Sequence, residues 1–251
     1  MEKIQETKNE KDNDTVYFTG KIVKLRHLIK RWNISEFTQS QSHGLYWDNE
    51  IRQRVFGLKN ECKNDTKKYD IDCLENKFDK NENISIKTSG NNSIDCGDIL
   101  RFYNGGFDKK YTIILLRYRQ IGDMKKIYQI MEINYSKKLR DILFGSIPYT
   151  ELEKYVEYIK AIPSGKPDKR IKTQYKNMKQ ELQDKYNMKC NISPKVDSKS
   201  QRRVQCSIPN IDKLFVEYPQ FVLSKSDKSI VRGIEIKCSI KSQKRLRNKN
   251  K

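Results

Sequence analysis

Polar and apolar positions along the chain predict mostly strands, with helices closing the central part. From Lys21 to Leu25 polar and apolar residues alternate, as on a half-buried strand, and Gly20 just before it predicts a bend in the segment 15–30. In Gly44–Gly57, the pair Asp48-Asn49 reads as a turn between two strand-like halves. The prediction there is a hairpin with Ile51, Gln53 and Val55 on one face and Arg52, Arg54 and Phe56 on the other. Residues 59–93 are rich in Asn, Asp and Lys and read as a long surface loop. A short helix over Lys67–Lys80 would gather Tyr69, Cys73, Leu74 and Phe78. Strands are expected at 97–103, 111–120 and 126–135, separated by turns at Gly105-Gly106 and Gly122-Asp123. Leu152, Tyr155, Val156, Ile159 and Ile162 recur at three- and four-residue spacing and predict a helix over Pro148–Ile162.

Beyond Ile162 the character of the chain changes. Pro163-Ser164-Gly165-Lys166-Pro167 marks a boundary. A charged helix is expected over Asp168–Tyr186, followed by strands at 202–208 and 230–240. Between those strands, 214–223 is an apolar island in basic surroundings. Leu214, Phe215, Val216, Tyr218 and Phe221 are therefore candidates for docking on a partner, or equally for the core of a small second fold.

The chain has 251 residues and a net charge of +20, from 52 Lys and Arg against 32 Asp and Glu. Residues 1–163 hold 29 basic and 24 acidic side chains, a net of +5. Residues 164–251 hold 23 and 8, a net of +15. The final stretch from Lys241 to Lys251 is almost purely basic, which makes Lys244, Arg245 and Arg247 candidates for phosphate contact or nuclear import. Ala161 is the only alanine, while Lys, Asn and Ile abound; AT-rich codons explain this, so part of the lysine excess is genomic habit. No apolar run has the length of a membrane span, and the first residues lack a signal-peptide core. The six cysteines include no C-x-x-C pair and are expected as free thiols.

Catalytic and metal-binding signatures are sparse. His27 and His43 are the only histidines, and no glycine-rich phosphate loop or nucleophile elbow is present. One constellation resembles the residue set of metal-dependent nucleases: Glu235-Ile236-Lys237 with Asp227 eight residues before Glu235. There two carboxylates would hold Mg²⁺ and the lysine would steady the attacking water. The stronger pattern is aromatic and basic. Tyr46, Trp47, Phe56, Phe102, Tyr103, Tyr118 and Tyr128 stand near Arg52, Arg54, Arg101, Arg117 and Arg119 on predicted strands. Stacking rings beside arginines suit single-stranded nucleic acid, with Arg52, Arg54, Tyr103, Arg117, Tyr118 and Arg119 as the candidates; the same rings would also serve as core.

The order of elements resembles an OB-fold, a five-stranded Greek-key barrel with a closing helix. Gly97-Asp98-Ile99-Leu100-Arg101-Phe102 is similar to the start of the fourth strand in telomere end-binding OB domains. The segment Leu45–Val55 resembles the hairpin between the second and third strands of the telomerase-recruiting shelterin OB family, and its ciliate telomerase-holoenzyme branch fits the lysine-heavy composition. The resemblance covers an OB domain over 15–162 of a mainly β chain; the charged tail over 1–14 is expected to be disordered, and 163–251 to be a basic, partly disordered extension. It implies a non-catalytic nuclear subunit at telomeres, without cofactor or metal. Its partners would be the telomerase reverse transcriptase and RPA-like and CST-like OB subunits, with nucleic acid at the basic extension. It would raise processivity by tethering. Asp70, Asp72 and Glu75 would supply an acidic partner-binding patch. A direct single-stranded DNA or RNA binder and a Mg²⁺ nuclease are the competing readings.

Overall fold

A computed structural model describes residues 15–18, 21–24, 42–59, 68–197 and 201–241. They fall into two compact units divided after Leu45. In the first, β1 (Thr15–Phe18) and β2 (Lys21–Lys24) form an antiparallel hairpin. This matches the strand expected at Lys21, while Gly20, where a bend was expected, lies outside the described residues. Helix α1 (Ser42–Glu50) crosses the division and runs on as a π-helical turn over Ile51–Val55.

The second unit is mainly sheet with several helices around it. Its main sheet is curled and has the order β12 (Ser239–Lys241), β6 (Met124–Asn134), β5 (Lys110–Ile121), β3 (Glu82–Ser89). β9 (Val222–Ser226) pairs the far half of β6. β5 and β6 form a long antiparallel hairpin. β3 and β5 are parallel, joined by a crossover through β4 (Ser93–Asp98) and helix α2 (Ile99–Asn104). A second, antiparallel sheet has the order β4, β8 (Arg202–Pro209), β7 (Asn191–Val196). β10 (Ile230–Val231) and β11 (Ile234–Glu235) form a small ribbon.

The main sheet is covered on both faces, which explains why Tyr111–Leu116 is a continuous buried run rather than an alternating one. One face packs Ile84, Ile86, Ile114, Leu116 and Ile130 against Trp47, Ile51 and Val55. The other packs Tyr111, Ile113, Leu115, Met131 and Ile133 against β4, β8 and helices α2, α3 (Lys137–Phe144) and α4 (Tyr149–Ala161). Helix α5 (Lys169–Lys185) starts at Asp168, whose carboxylate accepts the Ile171 N–H. Helix α6 (Ile211–Glu217) follows β8. Helices α4 and α5 stand where the periodicity placed them.

Several expectations are corrected. Gly44–Gly57 is helical, not a hairpin: Trp47, Ile51 and Val55 are each wholly buried at four-residue spacing, a helical stripe that outweighs the Asp48-Asn49 turn signal. Gly97–Tyr103 is not one strand. Asp98 ends β4 and caps α2, accepting the Arg101 N–H at 2.9 Å, and Ile99 and Phe102 face the core. Both segments that carried the OB resemblance are therefore helical wholly or in their greater part. The helix expected over Lys67–Lys80 is absent among the described residues; 68–81 is a chain of turns with a single β-bridge, Ile71 to Ile84. The supposed loop 59–93 contains β3. Nor is 163–251 a detached extension: β8 pairs β4, while β9 and β12 pair β6. The tail 1–14 lies outside the described residues.

Candidate nucleic-acid interface

β5 and β6 run on past the end of β3, and their turn at Gly122-Asp123 carries exposed charge. Arg119 pairs Lys126 and Gln120 pairs Lys125 across the hairpin. A register shift between Arg117 and Tyr118 leaves Tyr128 as the extra residue on β6. Its ring takes the Arg119 guanidinium at 4.5 Å and that of Arg117 at 5.3 Å. On the opposite side Lys125 stands 5.1 Å over the Tyr118 ring, which leans on Trp47 at 5.5 Å. Partial burial lowers the Lys125 ammonium from the usual lysine value and raises the Tyr118 hydroxyl. β12 brings Lys241 opposite Met124 at the same end. Arg119, Lys125, Lys126 and Lys241 thus stand, on both faces, at the end where the hairpin turn carries one carboxylate, Asp123. The next ten residues of the chain add five cations and no acid.

The sequence-predicted residues scatter. Arg119 and Tyr118 belong to this end. Arg117 is nearly buried in a two-pronged pair with Asp212, at 2.5 and 3.0 Å, which holds α6 to the sheet. Arg52 is also buried, with 6% exposure, so it is unavailable to a ligand. Arg54 is exposed but pairs Glu50 one helical turn away. Tyr103 donates its hydroxyl to the Ile147 carbonyl and packs edge-on against Phe144, a structural role. Lys244, Arg245 and Arg247 lie outside the described residues.

The docking island is mostly core. Leu214, Phe215 and Phe221 are buried; Val216 alone is fully outward, and the Tyr218 hydroxyl accepts from Lys189. The acidic patch also dissolves into separate contacts. Asp72 and Glu75 are spent on a turn, Asp72 accepting the Leu74 N–H and Glu75 the Asp72 N–H. Asp70 instead faces Lys87. At the suspected nuclease triplet, Asp227, Glu235 and Lys237 are exposed on and around the small ribbon. Among the described residues no group of three or more His, Cys, Asp or Glu is placed to hold a metal ion. Among those residues, too, no helix is long and apolar enough to cross a membrane.

Sequence reasoning missed Lys125, Lys126 and Lys241, although Gly122-Asp123 between cationic flanks was the available signal. Compared with family models, curated proteins and solved structures, the chain shows no match.

Proposed function

We propose that the protein binds nucleic acid through the basic end of its main sheet. One observation carries this reading: Arg119, Lys125, Lys126 and Lys241 meet at the end of the sheet from which the cationic last ten residues continue. Clustered cations displace condensed counterions from a phosphate backbone, and rings held beneath guanidinium groups offer a face to bases. The affinity of such a surface falls steeply with salt. The test is a titration of fluorescent DNA and RNA, single- and double-stranded, at several salt concentrations. Changing Lys125 and Lys126 together to Gln is expected to reduce the logarithmic salt slope by about 2, roughly one for each phosphate no longer neutralised. An unchanged slope and affinity would end this reading.

The tethering role in a telomerase complex keeps one support, the curled, half-barrel form of the main sheet. It loses the support of Leu45–Val55 and Gly97–Phe102, which carried the family resemblance. Nucleic-acid binding needs no such resemblance, only the charge and its placement.

A further inference from the structure

Helix α5 carries a second basic surface, built from none of the residues at the sheet end. The helix is firmly seated. Tyr175 is buried, Met178 and Leu182 pack against the core, and the Tyr155 hydroxyl donates to the Tyr175 carbonyl at 3.1 Å. Lys179 donates to the Asn191 side chain at 2.9 Å. At about 100° per residue these positions fix the inner face of the helix. The outer face of its first half then carries Lys169, Arg170, Thr173, Gln174 and Asn177. All five are exposed and line one shallow depression. Among the described residues, none of these five side chains has a hydrogen bond or an ion pair.

The charge on this face works against the helix itself. From Lys169 to Gln180 there are five cations and no acid, whereas Glu181 to Lys185 holds two acids and one cation. Lys169, Arg170 and Lys172 occupy the first turn, where the helix dipole is already positive and no acid offsets them. Lys172 stands three residues from Lys169 and four from Lys176, so like charges are neighbours on the helix surface. Asp168, just before them, is engaged by the Ile171 N–H at 2.8 Å. A face that only keeps a helix in water mixes both signs and gains from the pairs. This face forgoes that gain, and a polyanion would supply the missing charge. Its uncharged members point to more than phosphate. Asn and Gln match the edge of adenine in the major groove, and Arg matches that of guanine. From Lys169 to Asn177 the helix rises about 12 Å. That is the length of three to four base pairs at about 3.4 Å each.

We propose that helix α5 reads base pairs in the major groove of duplex DNA; the inference rests on the nucleic-acid reading above and names its ligand. The helix enters with its first half, since Glu181 and Asp184 repel phosphate from the second. Lys172 and Lys176, on the rim between the outer and inner faces, hold the phosphates that border the groove. Arg170, Gln174 and Asn177 meet base edges. The major groove of B-form DNA, about 12 Å wide, admits a helix. That of duplex RNA is too deep and narrow for side chains to read, and a single strand has no groove.

The experiment uses the full chain to select binders from a pool of random-sequence DNA duplexes. Affinity is then measured for the selected duplex, its separate strands and RNA of the same sequence, at several salt concentrations. The expected result is a preferred run of about three to four base pairs, bound more tightly as duplex DNA than in the other forms. Gln174→Ala with Asn177→Ala should reduce the preference at the base pairs read by about tenfold and leave the salt slope unchanged. Lys172→Gln with Lys176→Gln should lower the logarithmic salt slope by about 2 and leave the preferred sequence unchanged. Lys125→Gln with Lys126→Gln should likewise weaken binding without altering the preferred sequence. Circular dichroism confirms that the variants are folded. Binding with no preferred sequence would overturn the recognition helix and leave the binding reading standing. So would a preference that survives the loss of Gln174 and Asn177, or tighter binding of single strands or RNA. Absence of binding to any nucleic acid would overturn the reading on which it rests.

Discussion

The two ends of β3 hold charge in opposite ways. At its start, Glu82 is buried and grips Arg232 through two hydrogen bonds of 2.7 Å, while Arg232 also reaches Glu132 at 3.1 Å. Asn76 and Thr112 donate to the same Glu82 carboxylate. Near its end, Lys87 meets Asp70 at 3.4 Å, and about three-tenths of each side chain is exposed. The first cluster is locked: β3, β5 and β6 each contribute a partner, and the guanidinium pins the β10–β11 turn to the sheet. The second is poised, since neither partner depends on the other for its solvation. Burial, rather than the mere presence of opposite charges, separates a strut from a group free to meet a ligand.

The largest effect should come from breaking the locked cluster. Arg232→Ala leaves Glu82 and Glu132 facing each other in a buried site, and such losses cost about 3–5 kcal/mol. Urea unfolding followed by circular dichroism measures it. The pH dependence carries a second signature. Burial pushes the Glu82 carboxyl up, but Arg232, Thr112 and Asn76 outweigh it and hold the carboxyl below its ordinary 4.5. A depressed carboxyl adds stability above its unfolded value and surrenders it as pH falls through the folded one. Wild-type protein should therefore lose stability below about pH 4.5. In Arg232→Ala burial is left to raise Glu82, so the deficit against wild type should shrink as pH falls from 7 to 5.

A middle case tests whether the distinction is graded. Arg117 is buried but its partner Asp212 is more than half exposed. Arg117 draws the Asp212 carboxyl below its usual range. Asp212→Asn keeps an acceptor oxygen near the guanidinium and water can reach the gap, so about 1 kcal/mol is expected, between the two extremes. A cost as large as that of Arg232→Ala would show that one buried partner suffices to make a pair structural.

The same division between burial and exposure decided what could be read from the sequence. Helix α4, β6 and β8 were legible because their apolar residues repeat with a clear period, and β5 because its continuous apolar run is bounded by turn signals. β3 was not: Asn83, Ser85 and Ser89 look like loop residues, yet all are buried and hydrogen-bonded, to Cys73, Tyr111 and the 91–93 turn. A polar residue with a buried partner gives the same letter as one in water. Helix α2 was hidden by β-prone letters, although Asp98 three residues before Arg101 was a capping signal. The Asp70–Lys87 pair was hidden twice over. Its strand was read as loop, and its two members are seventeen residues apart, brought together by the bridge between Ile71 and Ile84 and the contacts beside it.

The smallest effect on stability should come from the open pair, and it is the sharpest test of the comparison. Lys87→Met keeps the length and the apolar stem of the side chain while deleting its charge. Asp70 retains the Ile86 N–H and its access to water, so no carboxylate is stranded. Partly exposed ion pairs contribute about 0–1 kcal/mol, and at the long separation seen here the lower half of that range applies. Thermal and urea unfolding should therefore place Lys87→Met close to wild type, and raising the salt concentration should shrink even that difference. A loss of several kcal/mol would make Lys87 a strut like Arg232, and the contrast between the two ends of β3 would fail. Near-neutral stability would mean that Lys87 is not kept at the sheet edge for the fold's sake, unlike Arg232 at the other end of the strand.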